Sequence, residues 1–339
     1  MKNNKPRNLS IDLLKVLCTL WIVGYWHLSN YGEAIDPYAW SHSREITVVS
    51  LGVFMFFSGF FLSKYKITSK IDVIEFYKKR VKRFYGLYLM SVLMLYVGSM
   101  FTPKPWFKSD FQLISTIFGI STFFKPSVGT LWFMSMLMLF YWITPLVKLL
   151  NSKNKQFLAI TIVYLMCILL YLFTGGVDAR LFWLMPMYII GLFISHDNFN
   201  RLCKGKSGYV CIAAFIVCLY IPWPNNIFIT TIRNITLSSL VAVGGGKICM
   251  VSMRYFEKYP IIVKTIDLFS YCSLSVYLFH REVYQALTMI LSKLHIDITI
   301  SILYIVFFPI AFVSAYLIQR CYDYVINKYF EKKDVRKDI

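Results

Sequence analysis

The sequence predicts an all-α, polytopic membrane helix bundle of about ten transmembrane helices with both termini cytoplasmic. Three observations carry this. Hydrophobic residues make up 58% of the 339-residue chain and mean hydropathy is +0.58, against roughly 45–50% apolar in soluble domains, whose surface must be hydrated. Apolar stretches close to the roughly 20 residues that cross a hydrocarbon core recur along the whole length with short polar breaks. The basic residues fall in alternate loops, as the positive-inside rule requires.

In order, the apolar runs place spans at 9–28, 45–63, 84–101, 129–147, 156–174, 181–195, 208–223, 226–244, 265–291 and 299–325. Residues 111–124 (FQLISTIFGISTFF) are too short to cross and read as an interfacial or re-entrant helix. One side of the alternation carries Lys2, Lys5 and Arg7, the segment 64–83, and later clusters around Lys153, Lys204 and Lys258. The other carries only Arg44, Lys104, Lys108, Lys125, Arg180 and Lys293. That bias puts both ends inside and requires an even number of spans. The expected organisation is a single integral-membrane domain over 1–339, with a core from 8 to 325 and a charged, solvated tail from 326. The charged start runs into the first span without a small-residue cleavage site, so that helix is read as an anchor.

Charge and cysteine content exclude some functions. The net charge of +19 is split among short loops and forms no single basic face, so no nucleic-acid partner is expected. Eight cysteines show no CxxC pair and no grouping with histidine, so no metal site is expected.

Within this frame a few residues stand out chemically. His27 sits inside the apolar run 16–28 (VLCTLWIVGYWHL). An ionisable group there is costly unless it faces a bundle interior or water, so it is a candidate working residue, the alternative being a packed histidine satisfied by a neighbouring helix. Arg80 and Arg83 lie in FYKKRVKRFYGLYL at the cytoplasmic edge of the third span, spaced i and i+3. On a helix they share a face and can clamp phosphate, or they anchor the chain to anionic membrane lipids. Ser58 and Gly59 in FMFFSGFFLSKY suit close helix packing; a serine nucleophile has no GxSxG context here. His280, Arg281 and Glu282 stand together in an apolar run, where a central arginine alone costs ~2.5–3.5 kcal/mol to insert. Consecutive residues point about 100° apart, so one face cannot hold all three.

In order along the chain these segments resemble the transmembrane acyltransferase-3 family. The resemblance rests on Ile11-Asp12-Leu13-Leu14-Lys15 leading to His27, Phe56-Phe57-Ser58-Gly59-Phe60-Phe61-Leu62, Arg80-Val81-Lys82-Arg83, Leu131-Trp132-Phe133 and Ser275-Val276-Tyr277-Leu278-Phe279-His280. It spans nearly the whole chain, in the stand-alone form without a soluble esterase-like domain. It implies a multi-pass protein of the bacterial inner membrane that moves an acyl group, usually acetyl, from cytoplasmic acetyl-CoA to a surface polysaccharide or lipid-linked sugar. It further implies His27 as catalytic base, with Arg80, Arg83 and Lys15 holding the acyl-CoA. Asp12, Ser58, Trp132, Tyr277 and His280 would line the substrate route or support it. Acyl transfer needs a base for the alcohol, and imidazole has the pKa for one near neutrality; the alternative is that His27 carries the acyl group itself. His27 would lie about 27 Å along the first helix, beyond the middle of a ~30 Å core.

In one respect the chain departs from the family pattern, which sets the basic residue and the histidine eleven apart. Here Lys15 and His27 are twelve apart, which turns them about 120° from each other on an unbroken helix. If both serve one cavity, the helix must absorb a residue through a π-bulge or kink, expected near Gly24, where the missing side chain eases distortion. The rival function is a transporter or flippase for lipid-linked sugars, in which the same groups coordinate phosphate and protons; it would not consume acyl-CoA.

Overall fold

The computed structural model describes residues 8–32, 36, 40–101, 106–125 and 127–331. Lys2, Lys5, Arg7, Lys104 and the tail from residue 332 lie outside the described residues. Among the described residues every regular element is helical. They run α1 (Leu9–Trp21), a π-helical segment (Ile22–His27), a 3-10 turn (Leu28–Tyr31), α2 (Ser43–Ser63), α3 (Lys70–Arg80), a second π segment (Val81–Tyr85), α4 (Gly86–Ser99) and α5 (Asp110–Ile117). Then come α6 (Leu131–Lys148), α7 (Lys153–Thr174), α8 (Leu181–Phe193), α9 (His196–Lys204), α10 (Ser207–Tyr220) and α11 (Ile227–Phe256). The last are α12 (Pro260–Lys293), the short α13 (Ile300–Ile302), a π segment (Leu303–Phe307) and α14 (Phe308–Ile326).

Each of the ten expected spans falls on a helix, but among the described residues seven are long and apolar enough to cross a membrane, or eight if the pair α9–α10, bent by 75°, counts as one. The differences have local causes. α8 has 13 residues, short of the roughly 20 that a crossing needs, and α4 is the 14-residue apolar end of an unbroken helix whose earlier part, α3 and the second π segment, carries the basic run 78–83. The run 111–124 forms the eight-residue α5 followed by a 3-10 turn, Ser121–Phe123.

The chain packs as two compact units. The first comprises Met1–Asn30, Ile35–Tyr65 and Phe182–Ser273; the second comprises Tyr31–Ala34, Lys66–Leu181 and Leu274–Ile339. In the first, α2 and α8 meet backbone to backbone. A Cβ on Gly59 would strike the Tyr188 carbonyl and one on Gly191 the Phe56 carbonyl, so the two glycines open the contact for each other. Helices in hydrocarbon gain little from burying apolar area against one another, so such small-residue contacts supply much of their attraction. Ser58 beside Gly59 donates to the Phe54 carbonyl at 2.8 Å, so its hydroxyl is used within its own helix.

In the second unit α3 opens with a reciprocal cap. Ser69 Oγ accepts from the Asp72 N–H at 3.2 Å, and Asp72 accepts from the Thr68 and Ser69 N–H groups, each at 2.9 Å. The Thr68 N–H, joined by the groups of Ser69, holds the Asp72 carboxyl down to about 2. Ile71, Ile74, Lys78 and Lys79 are all exposed on this helix, which suits a membrane–water boundary. α7 ends at Gly175, whose φ of +62° is left-handed backbone that a side chain would strain.

Candidate functional site

In the first unit the helix-1 residues cluster as follows. Asn8 caps α1, accepting from the Ile11 N–H, and Asp12 lies in the first turn, where the helix dipole favours a carboxylate. Asp12 is buried; it accepts from Ser270 Oγ at 2.9 Å and pairs with Lys15 at 3.7 Å. The Lys15 ammonium also sits 5.8 Å from the centre of the Phe61 ring. Lys15 is therefore tied to Asp12, three residues before it, as their spacing allows.

Between Lys15 and His27 the helix changes type. Ile22–His27 is π-helical, with buried Gly24 inside it and His27 at its end. A π turn takes in one residue more than an α turn. Twelve residues therefore turn like eleven, which returns Lys15 and His27 to within ~20° of one face. His27 is buried, at 9% exposure. The segment is held by hydrogen bonds to α2: Trp21 Nε1 donates to Thr47 Oγ1 at 3.0 Å, and Tyr25 and Ser43 hydroxyls are 3.4 Å apart.

The second unit carries Arg80, which lines a pocket of about 220 Å³ with six aromatic walls: Tyr77, Phe84, Tyr85, Phe118, Tyr141 and Trp142. Its guanidinium lies 4.6 Å from the Tyr141 ring centre and 5.3 Å from that of Phe76. The walls are pinned from behind, with Tyr77 donating to the Trp142 carbonyl at 2.6 Å and Tyr85 to the Ile117 carbonyl at 2.9 Å. Arg83 is exposed and does not line this pocket. The chain between the two arginines is π-helical, and the wider turn swings residue i+3 off the face it shares with residue i in an α-helix. Of the two arginines, Arg80 alone lines the aromatic pocket.

Further along this unit α12 presents Tyr277 and His280. Tyr277 donates to the Thr130 carbonyl at 3.2 Å, which ties α12 to the start of α6. His280 is fully buried with Nδ1 3.0 Å from the Val276 carbonyl, an acceptor only, so Nδ1 carries the proton. Its ring centre lies 5.6 Å from that of Tyr284 and 6.2 Å from that of Tyr277.

Trp132 is covered by a residue the sequence reading left unassigned. The Arg180 guanidinium sits 3.5 Å from its ring centre, held there by Asp178. Ser127 closes the network, donating to Asp178 at 2.9 Å and accepting from Arg180 at 3.1 Å. Burial works to raise the Asp178 carboxyl, but hydrogen bonds and charge from Arg180 outweigh it and hold the group below the usual carboxylate range. Arg281 and Glu282 also take separate roles. Arg281 lies 5.7 Å from the Trp106 ring centre, while Glu282 accepts from Ser91 at 3.3 Å. Arg180, Asp178, Trp106 and Gln285 are contributed by loops or by residues far apart in sequence, so sequence patterning gave no signal that they meet.

Residues 8–320 match the profile of one protein family, described as an acyltransferase domain. No curated protein and no solved structure matches the chain.

Proposed function

The chain belongs to the acyltransferase-3 family of multi-pass membrane acyltransferases, and from that premise we propose that it transfers acetyl from acetyl-CoA to a hydroxyl of an extracytoplasmic polysaccharide or lipid-linked sugar at the bacterial inner membrane. The observation that carries the donor assignment is the Arg80 pocket. A guanidinium fork beside six aromatic side chains suits a ligand made of phosphates and a purine ring, which describes the nucleotide end of coenzyme A.

His27 is the proposed base. It takes the proton of the acceptor hydroxyl as that oxygen attacks the thioester carbonyl, the carbon–sulfur bond breaks, and the imidazolium returns the proton to the departing thiolate. Imidazole is the side chain whose ordinary pKa suits a base near neutrality, and His27 is buried at the end of the π segment, inside the first unit. Lys15 and Asp12 hold the cytoplasmic part of the same helix through their ion pair. Trp132 with Arg180, Tyr277 and His280 are positioning residues in this reading. Ser58 is a packing residue, because its hydroxyl is committed to the Phe54 carbonyl.

The test is radiolabelled acetyl-CoA supplied to membrane vesicles with a crude surface-glycan acceptor. The proposal expects label to move into glycan as an alkali-labile ester with release of free coenzyme A. Movement of sugar across the membrane with no coenzyme A released would establish the transporter reading in its place.

A further inference from the structure

The second unit holds a larger cavity that the donor pocket and the base leave unexplained. It has a volume of about 450 Å³, within the roughly 300–1,000 Å³ of small-molecule sites, and runs between α4 and the last third of α12. Four polar residues line it: Glu282, Gln285, Trp106 and Lys293. The rest of the wall is apolar and includes Val97, Phe101 and Ile290, which are all exposed on the outer surface of this unit.

The polar end is built for hydroxyl groups. Glu282 Oε1 accepts from Ser91, but Oε2 is buried with no hydrogen-bond partner, an arrangement that costs free energy until a donor arrives. Gln285 uses its oxygen to accept from Trp106 Nε1 at 3.0 Å, which leaves its amide N–H groups as donors. The indole is fixed by that bond and by Gly129, where a Cβ would come within 2.9 Å of the ring. A carboxyl group, an amide donor and a fixed indole form a set that matches a sugar ring, with its hydroxyls and apolar C–H face.

The far end differs. Lys293 is eleven residues beyond Glu282, about 16 Å along the helix. Glu282 and Gln285 offer hydrogen bonds but no cation for a phosphate, whereas Lys293 attracts one at the other end. The exposed apolar wall beside both suits a hydrocarbon chain. We propose that this cavity binds a lipid-linked sugar, with the sugar at Glu282, Gln285 and Trp106, the linking phosphate toward Lys293 and the polyprenyl chain along the apolar wall.

The proposal deepens the acyl-transfer reading by naming the acceptor class, and its test does not depend on catalysis. Protein in lipid nanodiscs is titrated with farnesyl phosphoglucose, farnesyl phosphate and free glucose, and binding is followed by quenching of tryptophan fluorescence and checked by calorimetry. The sugar-bearing lipid should bind at least about tenfold more tightly than either part alone, and Glu282→Gln should lower its affinity by roughly tenfold while leaving farnesyl phosphate unaffected. Gln285→Leu should act in the same direction and serves if Glu282→Gln unfolds. Equal binding of farnesyl phosphate, equal binding of free glucose, or wild-type affinity in both Glu282→Gln and Gln285→Leu would each overturn the proposal. Acetyl-CoA turnover on the same preparation separates the two readings: intact sugar-lipid binding without turnover removes the acyl-transfer role and leaves the site standing.

Discussion

Replacing Arg80 with alanine should weaken acetyl-CoA binding far more than replacing Arg83. Arg80 lines the aromatic pocket and lies against Tyr141 and Phe76, so its fork is oriented before the ligand arrives. A hydrogen bond between charged groups contributes about 1.5–3 kcal/mol, which corresponds to an affinity loss of about 10- to 150-fold at 1.4 kcal/mol per decade. Arg83 is exposed and outside the pocket. A screened surface charge contributes about 0.2–1 kcal/mol, so its loss should cost no more than about fivefold. Arg80→Lys should fall between, since it keeps the charge but loses the planar fork and the stacking. Calorimetric titration of acetyl-CoA into nanodisc-embedded protein measures all three, with thermal unfolding as the check on folding. Equal losses for Arg80→Ala and Arg83→Ala, or none for either, would refute the assignment and return the basic run to a lipid-anchoring role.

Three further expectations follow from named contacts. Deleting Gly24 leaves Lys15 and His27 eleven apart on a regular helix, still within ~20° of one face, and loses no side chain; transfer should survive, whereas an alanine inserted after Leu20 turns His27 by a further 100° and should lower transfer by roughly 10²-fold or more. Ser58→Ala should leave both transfer and thermal stability close to wild type, while Gly59→Val should destabilise by ~1–3 kcal/mol because the added carbons meet the Tyr188 backbone; loss of transfer in the serine variant would revive the nucleophile. The Asp72 carboxyl is held from 3.8 down to about 2, so its support of the α3 cap is complete above about pH 4 and disappears as pH falls through about 2. Exchange of the Thr68 and Ser69 amides, corrected for intrinsic rates, should therefore be flat from pH 7 to 5 and accelerate below 4; an Asp72→Asn protein should lack that pH dependence.

The helical class was legible because hydrophobic runs report directly on burial in hydrocarbon, and ten runs fall on helices. Their lengths were less legible. Apolar loop residues such as Phe101 extend a hydropathy window past the point where the hydrogen-bonded helix stops at Ser99. His27 stood out because an ionisable side chain in an apolar run has few inexpensive explanations, and the odd spacing from Lys15 predicted the π segment. No comparable irregularity marked Val81–Tyr85, so Arg80 and Arg83 read as one clamp although the structure separates them. The covering of Trp132 by Arg180 and the meeting of Trp106 with Gln285 join residues 48 and 179 positions apart, a tertiary fact that periodicity does not encode.

Transfer of label from acetyl-CoA to a glycan acceptor by wild-type protein and by His27→Ala, in nanodiscs and at equal folded concentration, tests the central assignment most directly. Removal of a general base should lower turnover by roughly 10²- to 10⁴-fold, with acetyl-CoA affinity unchanged because the donor pocket is built around Arg80. Retention of most of the wild-type turnover would contradict the account and make His27 a packing residue of the first helix.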